Sequence, residues 1–194
     1  MSVNQPAIDR LRLDEAFSIG VSRPFNDCWY VRMDSTLMVI DDDETKVSRF
    51  SDDESDDPRS LQIRNYHNCA IVLLAIDNRL FRNHQGGIAD CAIFDEESFL
   101  FIEFKTNAYG NSREQKHATY EKAIGQLEET LRLFRSRLSG VKINFDEQVS
   151  IGCHIVVAQS FPRVKAMEQE YSLSFADNNG GVGLRFDRKV YWGH

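Results

Sequence analysis

The sequence has no run of about 20 consecutive apolar residues, which is the length that an α-helix needs to cross a membrane. Its first residues, MSVNQPAIDRLRLDEAF, also lack the basic start and the apolar stretch of a secretory signal peptide. We therefore expect a cytoplasmic protein without membrane contact. A chain of 194 residues is long enough to bury one full core, so we expect a single domain with one site.

Closely spaced metal ligands are also missing. The four cysteines, Cys28, Cys69, Cys91 and Cys153, lie far apart, with no CxxC pair and no nearby pair of histidines. Zinc sites and disulfide frameworks both require such spacings, so neither is indicated. We interpret the cysteines as small buried hydrophobic residues.

An excess of basic residues is the third feature that the chain lacks, since its formal net charge is -7. The acidity is concentrated in DDDETKVSRFSDDESDD, residues 41–57, which has nine acidic and two basic side chains. The rest of the chain carries 21 of each, so the total charge does not exclude a nucleic-acid partner. A segment so poor in apolar residues predicts a solvated loop. A DNA-mimicking strip or an autoinhibitory flap over a basic groove is the alternative.

Apolar periodicity predicts one long helix. In REQKHATYEKAIGQLEETLRLFRSRLSG, residues 113–140, apolar side chains recur at three- and four-residue steps from Tyr120 to Phe134, and Gly140 supplies a stop. The N-terminal stretch AIDRLRLDEAFSIG could open as a short helix.

Short apolar runs rich in β-branched residues predict strands. One run is CAIVLLAID, which by periodicity alone also fits a helix segment, although its β-branched residues and the turn-prone RNHQGG after it favour a strand. The other is VSIGCHIVVA, after the long helix. We expect DCWYVRMDSTLMVID to form a strand pair with a turn near Asp34–Ser35. We expect YSLSFADNNGGVGLRFDRKVYW to form a terminal hairpin around Asn179–Gly180. This order predicts an α/β fold with a mixed central β-sheet flanked by helices.

Three charged side chains lie within two apolar runs of GGIADCAIFDEESFLFIEFKT, residues 86–106. A tight turn at Asp95–Ser98 would join the two runs as antiparallel strands and place Asp90 directly opposite Glu103. The Cβ atoms of such a pair lie about 5 Å apart on one face of the sheet. Lys105 shares that face, because side chains alternate along a strand.

Two opposed carboxylates on an apolar surface repel each other and lose hydration unless something neutralises them. A bound Mg²⁺ or Mn²⁺ would do so, because hard cations bind carboxylate oxygens, water and phosphate. The alternative is an ion pair of Asp90, Lys105 and Glu103 at a sheet edge, where the charges reach water. We favour the metal site, since such a costly cluster usually marks function.

Asp90, followed after twelve residues by Glu103-Phe104-Lys105, resembles the D…(D/E)xK motif of the PD-(D/E)xK nuclease superfamily. The likeness lies in roughly residues 75–130. The order of elements extends it, because the long helix and then the VSIGCHIVVA strand follow the hairpin as they do in that family. It implies a restriction endonuclease-like catalytic core at 65–160. An N-terminal β extension at 1–60 would precede this core, and the terminal hairpin at 170–192 would follow it.

The resemblance implies a metal-dependent hydrolase of phosphodiester bonds. Asp90, Glu103 and the backbone carbonyl of Phe104 would hold one or two Mg²⁺ or Mn²⁺ ions. Lys105 would orient the attacking water and stabilise transition-state charge, and Gln126, in AIGQLEET on the long helix, would assist it.

The sequence departs from the family pattern at two points. Ala89 stands where the family name has proline. The first helix of the fold often supplies a further glutamate, and none lies in a convincing helix directly before CAIVLLAID. Glu15 and Asp77 are the candidates for this fourth ligand, which stays unassigned.

Basic and aromatic side chains follow the motif closely in NAYGNSREQKHATY. We expect Arg113, Lys116, His117 and Tyr109 to contact substrate phosphates, with an ordinary solvated helix start as the alternative. DNA is the expected substrate and RNA remains open. Nucleases of this kind commonly serve prokaryotic defence or mobile elements, and the small size favours a homodimer or a subunit of a larger complex. The alternative function is a catalytically inactive, nuclease-like binding or regulatory subunit.

Overall fold

The computed structural model describes residues 6–52, 57–106, 112–158 and 161–193. Its helices are α1 (Pro6–Leu11), α2 (Leu13–Ala16), α3 (Arg113–Gly140), α4 (Phe145–Gln148) and α5 (Lys165–Asn178), with a 3₁₀ helix at Phe25–Asp27. Its strands are β1 (Trp29–Arg32), β2 (Thr36–Asp41), β3 (Ser48–Phe50), β4 (Leu61–Asn65), β5 (Ile71–Ala75), β6 (Cys91–Phe94), β7 (Ser98–Lys105), β8 (Ser150–Val157), β9 (Gly183–Arg185) and β10 (Lys189–Trp192).

The larger sheet has six strands in the order β1-β5-β6-β7-β8-β9. The pairs from β1 to β7 are antiparallel, whereas β8 runs parallel to both β7 and β9. The sheet is therefore mixed, and the predicted α/β fold with helices against a mixed sheet is confirmed. Strand β8 lies between two partners, as its continuous apolar sequence predicts.

A second sheet, in the order β10-β4-β2-β3, covers one face of the larger sheet. Inward-facing side chains of the two sheets, such as Val39 and Ile63 against Leu73 and Ile93, form one buried cluster. This layer explains why β5 and β6 are apolar at every position, since each is covered on both faces.

Helices cover the opposite face of the larger sheet. The apolar stripe of α3 is fully buried there, and the centroid of the Phe134 ring lies 4.9 Å from that of the Phe101 ring. A buried side chain of this size contributes about 1.5 to 3 kcal/mol to stability. Ser112 caps the helix, because its hydroxyl accepts from the Gln115 N–H while the Gln115 side chain accepts from the Ser112 N–H. The predicted helix over 113–140 is confirmed.

The predicted terminal hairpin is wrong. Residues 165–178 form α5, and β9 and β10 belong to different sheets. Met167, Tyr171 and Phe175 recur every four residues, which is helical spacing that the β-branched and glycine signals obscured. The Asn179–Gly180 turn ends this helix, since the Gly181 N–H donates to the Ala176 carbonyl at 2.8 Å and both glycines have positive φ.

The N-terminal strands also pair differently from the prediction. Both strands of DCWYVRMDSTLMVID form, but β1 pairs with β5 and β2 pairs with β3 and β4. The acidic segment is not a single solvated loop, because Ser48–Phe50 forms β3 and only residues 53–56 lie outside the described residues. Asp42 accepts from the backbone N–H groups of Glu44 and Thr45, which closes the turn between β2 and β3. These hydrogen bonds and Arg49 hold the pKa of Asp42 well below its usual value.

Across the described ranges of the chain, no helix is both long and apolar enough to cross a membrane.

Candidate metal centre

The hairpin of β6 and β7 has the register that the turn predicts. Cys91 lies opposite Ile102 and Phe94 opposite Phe99, which continues to Asp90 opposite Glu103. The Asp95 carboxylate fixes the turn by accepting from the N–H groups of Glu97 and Ser98 at 2.9 and 2.8 Å. The motif acids therefore come together as expected from the sequence.

Asp90 is tied to the facing strand through its side chain. Its Oδ2 accepts a 2.6 Å hydrogen bond from the Phe104 N–H, and its carbonyl accepts from the Ile76 N–H at 3.0 Å. Burial raises the pKa of Asp90 well above its usual value, and the neighbouring Glu103 and Asp41 raise it further. The carboxyl group is thus held rigidly beside another carboxylate.

Glu103 is 1% exposed, and only one of its two carboxylate oxygens has a partner among the described residues. Its Oε1 pairs with the Lys105 ammonium, whereas its Oε2 has no hydrogen-bond partner among the residues that the structure describes. Burial raises the pKa of Glu103 to about 7, although Lys105 opposes that shift. A buried, unpaired carboxylate oxygen costs about 1 to 3 kcal/mol or more, so this atom requires a partner.

Lys105 connects the strand to the helix. Its Nζ donates to Gln126 Oε1 at 2.8 Å, and Gln126 Nε2 in turn donates to the Ile88 carbonyl at 3.2 Å. The backbone of Gly87 lies close to the Gln126 side chain, because a Cβ added at Gly87 would lie 3.1 Å from Gln126 Cγ. The structure thus brings Asp90, Glu103, Lys105 and Gln126 together, as the sequence predicts. The metal-binding role of the Phe104 carbonyl stays a prediction.

Two further acids approach the centre, and sequence reasoning identified only one of them. Burial raises the pKa of Asp77, whose charge also acts on Glu103. Burial, and then Asp43, raises the pKa of Asp41, at the end of β2, which acts on both motif acids. No local signal marks Asp41, because a different sheet brings it to this site.

Glu15, the other candidate ligand, lies elsewhere. It pairs with Arg12, whose guanidinium donates to the Val141 carbonyl just beyond the end of α3. Val141 is 15 residues from Gln126, which corresponds to about 22 Å along a helix.

A histidine on the loop before Asp90 also borders the centre. His84 Nε2 lies 3.0 Å from Glu129 Oε1, and Glu129 lies three residues after Gln126 on α3. Arg132, and then His84, hold the pKa of Glu129 below its usual value. No local signal in the sequence marks His84, because no other histidine lies at a ligand spacing from it.

The predicted phosphate contacts lie further away. Arg113, Lys116 and His117 are 9 to 13 residues before Gln126, so they lie about 14 to 20 Å from it along α3. His117 also bonds the Tyr171 hydroxyl and lies 3.4 Å from Glu121. These residues therefore lie apart from the Lys105–Gln126 contact, and their role as substrate contacts stays a prediction. Tyr109 lies outside the described residues.

The donor set fits a hydrated hard cation better than an all-protein cage. No group of three or more acidic, histidine or cysteine side chains in the described ranges is arranged to hold a metal ion. Two carboxylates, one with an oxygen that has no partner in the described part of the chain, nevertheless suit Mg²⁺, which usually keeps several waters and binds one or two carboxylates. Asp90 and Glu103 could therefore provide two protein ligands.

Comparisons with protein-family models, with curated proteins and with solved structures each found no match for this chain. The resemblance to PD-(D/E)xK nucleases therefore depends on the motif and on the order of the elements around it.

Proposed function

We propose that this protein is a metal-dependent nuclease that hydrolyses phosphodiester bonds, with DNA as its substrate, in the cytoplasm. The observation that supports this proposal best is Glu103, a buried carboxylate opposite Asp90 with one oxygen on Lys105 and the other without a partner in the described structure. Such an arrangement is costly for stability alone, and a cation between the two acids would remove that cost.

Each residue has a distinct role in this proposal. Asp90 and Glu103, with the Phe104 carbonyl, would hold Mg²⁺ or Mn²⁺. A bound divalent ion supplies a more acidic water and neutralises charge on the phosphate oxygens. Lys105 would orient the attacking water and stabilise the charge that develops in the transition state. Gln126 fixes the Lys105 ammonium through its 2.8 Å hydrogen bond.

A second candidate function is a nuclease-like binding or regulatory subunit without catalytic activity, acting within a homodimer or a larger complex. The Glu103–Lys105 ion pair favours it, because the lysine already neutralises one carboxylate. A third acid arranged as a ligand is also missing from the described residues. The two proposals differ in whether the centre supports hydrolysis.

Cleavage assays distinguish these functions. Purified protein is incubated with supercoiled and linear DNA in Mg²⁺ or Mn²⁺, with EDTA as the metal-free control. The nuclease proposal predicts cleavage that EDTA abolishes and that Asp90→Asn, Glu103→Gln and Lys105→Met each reduce by about 100-fold or more. Matched controls are Glu97→Gln, in the exposed hairpin turn, and Lys122→Met, on the exposed surface of α3. Equal inertness of the wild type and all variants would instead favour the binding subunit.

A further inference from the structure

The outer face of the four-stranded sheet carries polar and aromatic side chains. Along β4 and β10, Ile63, Val190 and Trp192 point into the core, whereas the alternate residues lie on the other face. In the parallel register, Lys189 lies beside Gln62, and Tyr191 lies beside Arg64. This arrangement produces an exposed face distinct from the metal centre, which lies against α3 on the larger sheet.

Two tyrosines dominate one end of this face. Tyr66 is 54% exposed and Tyr191 is 58% exposed. Their rings are nearly parallel, with centroids 6.1 Å apart and an interplanar angle of 8°. Large aromatic side chains left this accessible do not serve the core, and flat rings on a sheet surface suit stacking of unpaired bases.

Two cations flank the tyrosines. The Arg64 guanidinium donates to the Thr36 hydroxyl at 2.8 Å, which holds it over the neighbouring strand. No ion pair joins Arg64 or Lys189 to an acidic group among the described residues, whereas Arg32, Arg49 and Arg59 each pair with an aspartate. These two positive charges are therefore available to a negatively charged backbone.

We propose that the tyrosine face, defined by Arg64, Tyr66, Lys189 and Tyr191, binds single-stranded nucleic acid. The tyrosines would stack on unpaired bases, while the two cations would contact phosphates. A duplex fits this chemistry less well, because its bases already stack on each other and expose only their edges. Exposed rings, together with cations that form no ion pair in the described structure, favour a nucleic acid over a protein partner.

The tyrosine face lies away from the metal centre. Trp192 Nε1 donates to Asp95 Oδ2 at 2.6 Å, and Asp95 is five residues along the hairpin from Asp90. That separation is about 17 Å along a strand, so a bound chain must be several nucleotides long to reach both sites. The inference rests on the proposed function, because it assigns that nuclease a substrate with a single-stranded segment.

Binding without cleavage tests this inference independently of catalysis. Fluorescence anisotropy in EDTA measures the affinity for labelled single-stranded DNA and RNA of about 16 nucleotides, and for the matching duplex. We expect Tyr66→Ala and Tyr191→Ala each to weaken single-strand binding by about tenfold, whereas Tyr191→Phe keeps it. Tyr30→Ala, which alters an exposed tyrosine on β1, should leave the affinity unchanged. Lys189→Gln should reduce the slope of log affinity against log salt by about 0.7.

The two proposals can fail separately. Loss of binding in the alanine variants with no cleavage by the wild type would support the tyrosine face and reject the nuclease. Unchanged single-strand binding in both alanine variants would overturn the tyrosine face, whatever the cleavage result. Unchanged nucleic-acid binding with altered sedimentation would likewise overturn it and identify a protein interface. Comparison of the DNA and RNA affinities would identify the preferred sugar.

Discussion

Lys105 donates a 2.8 Å hydrogen bond to Gln126, which lies 21 residues further along the chain on α3. The same ammonium pairs with Glu103, so one side chain connects the acidic hairpin to the helix behind it. This connection distinguishes the centre from a simple strand-edge ion pair, because it fixes the Lys105 ammonium, which would face an attacking water.

Gly87 should be sensitive to substitution because of its contact with Gln126. Gly87 has φ +76°, and an added Cβ would lie 3.1 Å from Gln126 Cγ. Gly87→Ala should therefore lower the free energy of unfolding by about 1 to 2 kcal/mol and displace Gln126 from Lys105. Urea unfolding and DNA cleavage measure the two effects.

Gly86→Ala is the matched control. Gly86 has φ +91°, but no atom of the described residues lies within 4 Å of an added Cβ. Gly86→Ala should lower the free energy of unfolding by an amount similar to that for Gly87→Ala, through backbone strain, and leave the specific activity unchanged. Equal loss of activity in both variants would show that loop conformation, and not the Gln126 contact, matters.

His154 should make the protein sensitive to acid. It is 1% exposed, and burial lowers its pKa from 6.5 to about 4. Between pH 6.5 and about 4, His154 is protonated in the unfolded chain but neutral in the folded chain. Stability is therefore lost as the pH falls towards 4, by about 3 kcal/mol.

His154→Leu should remove this part of the pH dependence, measured as the free energy of unfolding in urea at several pH values. His67→Leu, which changes an exposed histidine, should keep the wild-type slope. If His154→Leu also kept that slope between pH 6.5 and 4, another group would have to be responsible.

The buried Glu168 carboxylate should depend on Arg163. Glu168 is 5% exposed and accepts hydrogen bonds of 2.6 and 2.8 Å from Arg163 and of 2.9 Å from the Tyr120 hydroxyl. Arg163→Met leaves this charge without its cation and should cost about 2 to 3 kcal/mol. Arg59→Met, which breaks an exposed pair with Asp43, should cost less than about 1 kcal/mol. A similar cost for both variants in urea unfolding would contradict this account.

The acidic turn between β2 and β3 should weaken nucleic-acid binding. Asp41 at the end of β2 acts on both Asp90 and Glu103, so the adjoining turn lies near the centre. Replacing Asp43 and Glu44 by their amides should increase DNA affinity severalfold at low salt and little at high salt. Deletion of residues 41–57 would not test this, because it removes β3.

Anisotropy titrations at two salt concentrations measure this effect. The matched control replaces Asp9 and Asp14, exposed acids of α1 and α2, by asparagine. An equal gain in affinity for both double variants would indicate a general charge effect and leave the acidic turn as a solvated connection.

Local patterns in the sequence predicted the hairpin best. The turn at Asp95–Ser98 and the two-residue alternation together determine which residues face each other, so Asp90 and Glu103 could be paired without a structure. The helix at 113–140 was equally predictable, because its apolar stripe and Ser112 cap are local signals.

Long-range pairing was not predictable in the same way. Strand β1 passes over its sequence neighbour to join β5, and β10 pairs with β4 more than 120 residues earlier. Asp41 reaches the centre only through this second sheet. The Asn179–Gly180 signal fits both a hairpin turn and the end of a helix, and only the packing of Phe175 in the core decides between them.

Anomalous diffraction from a crystal soaked in Mn²⁺ tests the metal centre most directly. We expect one peak shared by the carboxylates of Asp90 and Glu103, with oxygen distances of about 2.0 to 2.3 Å, and no such peak in Glu103→Gln. A wild-type map without a peak at these acids, and with the Glu103–Lys105 ion pair intact, would overturn the metal site and identify the cluster as a buried ion pair.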